Sequence, residues 1–121
     1  MQGQIQMMQW YLPLVIFAVT VPTAPTENFT LQVLSSRSVL VSWRPPAFEE
    51  QNGVITRYTV VFIESPSNNT LPYQREGELT ELVIEQLHPY YEYHCSIAAE
   101  TRVGSGPATN SVTIRTFEDG M

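Results

Sequence analysis

An all-β fold, a seven-stranded antiparallel β-sandwich, is what this sequence predicts, and three observations predict it. Apolar and aromatic residues recur with period two in short runs, most clearly Tyr93, Cys95, Ile97 and Ala99, with Glu92, His94, Ser96 and Ala98 on the opposite parity. Such alternation belongs to a strand with one buried face. Turn-forming residues break the chain at intervals of roughly 8 to 12 residues, the rhythm of sandwiches and barrels. No stretch carries the apolar repeat of a helix worth naming.

In chain order, residues 1–24 hold no charged side chain, and Trp10 to Val21 is strongly apolar. That run is short against the ~20 residues of a bilayer span but suits the hydrophobic segment of a secretory signal peptide. No Lys or Arg precedes it. Small residues for a cut stand at Ala18 and Thr20, whereas a cut after Ala24 leaves Pro25 at its exit. Residues 1–24 are therefore set apart from the fold as a signal peptide, the alternative being an artificial or mis-assigned start. Phe29 and Leu31 mark a first strand, and Val39, Val41 and Trp43 a second, which Arg44-Pro45-Pro46 ends because proline cannot donate to a ladder. A loop through Phe48 follows, closing at Asn52-Gly53, a pair suited to positive-φ turn positions. Ile55 to Ile63 is the longest β-rich run and is apolar on both parities, the pattern of a central strand. Pro66 to Asn69 turns the chain, Leu71 to Gln74 and Leu82 with Ile84 supply two short strands, and Leu87 and Pro89 lead into the strand of Tyr93. Val103 to Pro107 reads as a mobile loop, and Val112, Ile114 and Thr116 as the last strand.

Length and charge narrow the function. A chain of 121 residues makes one core without needing staples. Twelve acidic residues face six arginines, no lysine is present, and the arginines are scattered from Arg37 to Arg115. Nucleic acid, whose binding needs clustered cations, is a poor partner for such a surface, and a polybasic membrane patch is missing as well. Cys95 is the one cysteine, so no internal disulfide forms and the count does not fix the redox compartment.

Catalysis finds little support. His94 and Cys95 are adjacent and so face opposite ways on a strand. Glu92, His94 and Ser96 share a face and list the residue types of a hydrolase triad, but lie ~6.7 Å apart along the strand on a face with no evident pocket. His88 in a turn and a buried cysteine do not make a metal site. Glu76, Glu78, Glu81 and Glu85 lack the spacing of a calcium loop and read as solvated surface. No cofactor or metal is expected, and the chain is read as no enzyme.

Residues 25–117 resemble a fibronectin type III domain. The residues that carry the likeness are Pro25, the run Ser42-Trp43-Arg44-Pro45-Pro46 with its tryptophan on the second strand, Ile55 and Tyr58 on the third, and Leu87, Pro89, Tyr93, Ile97 and Ala99 in the Leu-x-Pro and tyrosine-corner pattern, with Gly104-x-Gly106 before the last strand. The immunoglobulin fold competes through Tyr93-His94-Cys95, but it needs a second cysteine and a tryptophan on the third strand. Cys95 is then a small core residue rather than a reactive thiol. The structural core is read as Trp43, Tyr58, Leu87 and Tyr93.

The resemblance implies a non-catalytic protein-interaction or spacer module of a cell-surface receptor or adhesion protein, as in receptor-type tyrosine phosphatases and neural adhesion molecules, with residues 118–121 a linker-like tail. A protein partner is expected, without membrane insertion of the domain itself. A secreted single-domain binding protein and an intracellular structural repeat are the alternatives. The triplets Asn28-Phe29-Thr30 and Asn68-Asn69-Thr70 are N-glycosylation acceptors if the chain enters the secretory route. Strand alternation sends the loops of Phe48, Arg102 and Gly77 to one pole, and Asn68 and Pro89 to the other. Loops on a rigid scaffold commonly carry recognition, so Phe48 and Arg102 are the candidate partner-binding residues. The outward face with Val61, Ile63, Ala98 and Arg115 is a second candidate.

Overall fold

A computed structural model describes residues 18–120 of the chain. Two antiparallel sheets face each other. The first holds β1 (Glu27–Val33), β2 (Val39–Arg44) and β5 (Glu81–Ile84) in the order β1-β2-β5. The second holds β3 (Arg57–Ser65), β4 (Thr70–Glu76), β6 (Glu92–Thr101), β7 (Gly104–Ser105) and β8 (Val112–Arg115). Its order is β4-β3-β6-β7, with β8 also pairing β6.

The alternation read from sequence is what closes the layers. β6 is buried at Tyr93, Cys95, Ile97, Ala99 and Thr101, and β3 at Tyr58, Val60, Phe62 and Glu64. Opposite them β2 buries Val39, Val41 and Trp43. From Arg57 to Ile63, β3 lies between β4 and β6, pairing Arg57 with Glu76 and with Glu100 and Ile63 with Thr70 and with His94. Its doubly apolar sequence suits that central place.

Trp43, Tyr58, Leu87 and Tyr93 are all at most 3% exposed. The rings of Trp43 and Tyr58 stand 5.2 Å apart, and Tyr93 packs 5.8 Å from Phe62. Burying each such side chain contributes about 1.5–3 kcal/mol. The Tyr93 hydroxyl accepts the His88 backbone N–H at 2.8 Å, which pins the turn from Leu87 to Tyr91 against the strand that follows it.

Three local features depart from the sequence expectation. The loop after Pro46, expected to be irregular, contains one helical turn, α1 (Phe48–Gln51), closed by Asn52 in the left-handed region at φ 59°. Val103 to Pro107, expected to be a mobile loop, is paired in part: Gly104 and Ser105 pair with Thr101 and Glu100 as β7. The final edge is therefore two pieces, and the described residues hold eight strands where seven were expected. Pro107, which has no N–H to give, falls in the gap before β8.

The third departure concerns the N-terminal stretch. Residues 18–24, set outside the fold by sequence alone, lie against it. Thr20 N–H donates to Asn52 O at 3.0 Å, Thr23 N–H to Glu50 O at 2.9 Å, and Pro22 is fully buried. Most of the apolar run from Trp10 falls outside the described residues. Among the described residues no helix is long and apolar enough to cross a membrane.

Candidate functional site

One pole gathers α1, the turn after β6, the turn after β4 and the strap formed by residues 18–24. Backbone bonds tie these together: Thr56 N–H donates to Glu100 O at 2.8 Å and Gly77 N–H to Thr56 O at 2.9 Å. Thr101 Oγ1 donates to Thr20 O at 2.8 Å, and Asn52 Nδ2 to Val21 O at 3.1 Å. The strap thus bridges the loop of Phe48 and the loop of Arg102. Gln51 Nε2 donates to Pro46 O at 2.9 Å, and Pro46 is itself fully buried, so α1 is held at its base as well.

On this frame Phe48 is 85% exposed and Val54 79% exposed. The anchored helical turn thereby holds Phe48 in water, with Val54 exposed beside it. They belong to a groove of ≈ 1140 Å³ that Pro45, Ile55 and Tyr58 also line. Its charged lining side chains are Glu49 and Glu78, both negative. Arg102 is exposed on the same pole but does not line the groove. The structure thus places Phe48 in a concave apolar surface and leaves Arg102 beside it.

The second candidate face is flatter. Val61, Ile63 and Ala98 are half-buried by their cross-strand neighbours Ser96, His94 and Thr59. Arg115 is engaged already, at 3.5 Å from Glu92 and 4.8 Å above the Tyr90 ring.

The reactive-residue candidates resolve by geometry. Glu92 and His94 do approach, Oε2 to Nε2 at 3.5 Å, which corrects the sequence expectation that spacing along the strand keeps them apart. The ~6.7 Å figure is a backbone repeat, and long side chains on one face lean across it. The other ring nitrogen of His94 lies 2.8 Å from Thr113 Oγ1, not from Ser96. Cys95 is fully buried, and burial drives its thiol far above its ordinary range, so it stays protonated and unreactive. Among the described residues no group of three His, Cys, Asp or Glu side chains is placed to hold a metal ion.

Asn68 lies exposed at φ 64° in the turn after β3, its N–H on Glu64 O at 2.7 Å. Asn28 is exposed at φ 52° where the β1–β2 register shifts between Glu27 and Thr30. Two contributors escaped the sequence reading. Glu64 is a carboxylate only 6% exposed, accepting from Ser67 Oγ at 3.1 Å and Asn69 Nδ2 at 3.2 Å and lying 3.6 Å from His88, so it shapes the turn that presents Asn68. Its even number continues the inward parity of Tyr58, Val60 and Phe62, which was the available signal. The strap is the other. Pro22, before the family-like opening at Pro25, was the signal there.

Comparison with known proteins places this geometry in a family. The family model described as "Fibronectin type III domain" matches residues 23–115. The chain is 35% identical over 105 residues to "Receptor-type tyrosine-protein phosphatase F" of Danio rerio, covering 84% of this chain and 6% of that protein. It is 31% identical over 103 residues to "Cell adhesion molecule DSCAML1" of Gallus gallus, covering 81% and 5%. The chain therefore spans a small part of the relatives' length, and the phosphatase similarity covers one repeat rather than a catalytic unit. In fold it is similar to the solution structure of the third fibronectin III domain of human KIAA0343 protein, with a TM-score of 0.77 and 19% identity over 84% of this chain and 87% of that one.

Proposed function

We propose that this chain, which belongs to the fibronectin type III family, is a non-catalytic module that works outside the cell and binds a protein partner through its Phe48 pole. Its place would be that of one repeat in a cell-surface adhesion receptor. The observation that carries the reading is Phe48 itself, 85% exposed on a helical turn whose base and flank are hydrogen-bonded in place. Aromatic residues presented on a rigid frame are the usual anchors of protein interfaces, because little side-chain entropy is lost on docking. Arg102 would stand at the rim, where a charge steers encounter more than it adds affinity. The extracellular placement is supported by the named receptor and adhesion relatives and by the apolar, charge-free start of the chain, read as a targeting segment that ends within residues 1–24.

The test is expression of the full chain in secreting mammalian cells. The expected product appears in the medium, lacks the targeting segment, and carries N-glycan at Asn68 that Asn68→Gln removes by intact mass. Asn28, at a strand start, is the second acceptor. Tetramerised through a tag, the same product is expected to stain the surface of adherent cells. An unglycosylated product confined to the cytosol would overturn the extracellular reading in favour of an intracellular repeat.

A further inference from the structure

Four hydrogen bonds to its main chain fix the strap, the Thr23 hydroxyl adds bonds with Glu50 and Asn52, and three glycines make room for it. The four main-chain bonds run from Thr20 and Thr23 to the carbonyls of Asn52 and Glu50, and from Thr101 and Asn52 to the carbonyls of Thr20 and Val21. A Cβ on Gly53 would stand 2.7 Å from Val19 Cγ1, one on Gly104 would stand 3.3 Å from Val21 Cγ1, and one on Gly106 would stand 2.7 Å from Pro22 Cβ and 2.8 Å from its carbonyl oxygen. The two loops of the pole are thus built around residues 19–23. A targeting segment removed ahead of Val19 leaves this packing whole.

Small residues that could precede the cut are Ala18, Thr20, Thr23 and Ala24, and a cut after Thr23 removes residues 19–23 altogether. A cut after Ala24 removes the whole strap and requires attack on an Ala–Pro bond. A cut after Thr20 removes the bonds to Asn52 O and from Thr101 Oγ1, together with Val19 from its place over Gly53. Ala18 is exposed and makes none of the strap's bonds, so a cut behind it leaves all four.

We propose that a signal peptidase hydrolyses the Ala18–Val19 bond, so that the mature chain begins at Val19 and keeps residues 19–23 as a structural part of the recognition pole. Water adds across the peptide bond, leaving a carboxylate on Ala18 and an ammonium group on Val19. The proposal rests on the secretory reading above and deepens it: the retained strap is what couples the Phe48 loop to the Arg102 loop.

N-terminal sequencing of the product secreted by cells expressing the full chain decides it. A first residue of Val19 is expected. Any other first residue in a cleaved product overturns the assignment while leaving secretion standing, and a cytosolic product that retains Met1 overturns both. The coupling is read separately by amide exchange in the secreted Gly106→Ala variant. Gly106 lies outside the left-handed region, so alanine is tolerated by the backbone and its methyl group meets only Pro22. Thr20 and Thr23 amides are expected to exchange at least tenfold faster than in the parent, with Val60 and Ile97 unchanged. Equal protection of Thr20 and Thr23 in both proteins would overturn the lock.

Discussion

The Tyr93 hydroxyl joins the start of a strand to the turn ahead of it by one bond, to the His88 N–H at 2.8 Å. Tyr93→Phe keeps the ring in the core and leaves that donor without its partner. The expected cost is about 1 kcal/mol, read as a lower urea midpoint with unchanged slope; a variant as stable as the parent would remove the bond from the list of what holds the turn. Cys95 and Tyr93 were legible from alternation alone, because a buried strand face repeats every second residue. Glu64 was not. Its charge argues for water, and only the spatial gathering of Ser67, Asn69 and His88 explains why it is 6% exposed.

Among the elements, β3 and β6 bury the weak acids Tyr58, Tyr93 and Cys95, and β4 packs Tyr73 against the same core. Burial pushes the phenols of Tyr58, Tyr73 and Tyr93 above their ordinary 10.0. For Tyr58 the adjacent Trp43 indole N–H opposes the rise in part, although it makes no bond of full hydrogen-bond geometry. Burial likewise raises the Cys95 thiol from its ordinary 9.0. The unfolded chain therefore releases these protons at lower pH than the folded one does. Stability from the four groups is complete below pH 9 and falls as pH climbs through 9 and then 10 toward the raised folded values. Thermal melts from pH 8 to 11 should show a falling midpoint, and Cys95→Val should delay its onset; a flat profile to pH 11 would contradict the burial of these groups.

The strands themselves could be read from sequence, β3 as the central one included. What sequence missed lies where tertiary contact decides. Four residues of α1 are too few for a helical period to register, and β7 is two residues held by the end of β6. The strap carries the composition of a targeting run, so its apolar residues pointed to a membrane pathway and not to the glycines 53, 104 and 106 that receive them. Gly104-x-Gly106 is legible in the sequence as a pattern, but its steric purpose depends on Val21 and Pro22.

At the scale of the whole molecule, a sandwich that buries Tyr58, Tyr93 and Cys95 leaves surface as its working part, and its two most exposed large apolar residues, Phe48 and Val54, share one pole of a chain of net charge −6. The candidate site was half legible: Phe48 and Arg102 were placed at one end by strand alternation, whereas the groove beside Phe48 arises from α1, Ile55 and Tyr58 together. Because Phe48 is 85% exposed, Phe48→Ala should leave the thermal midpoint within the change of about 0.5 kcal/mol typical of surface substitutions. The decisive measurement is cell-surface staining by the tetramerised secreted domain, titrated for the parent, Phe48→Ala and Ile63→Ala. Recognition through the pole predicts that Phe48→Ala weakens half-saturation at least tenfold at an unchanged midpoint of unfolding, with Ile63→Ala like the parent. Staining that Phe48→Ala leaves untouched, or that Ile63→Ala abolishes, would contradict it.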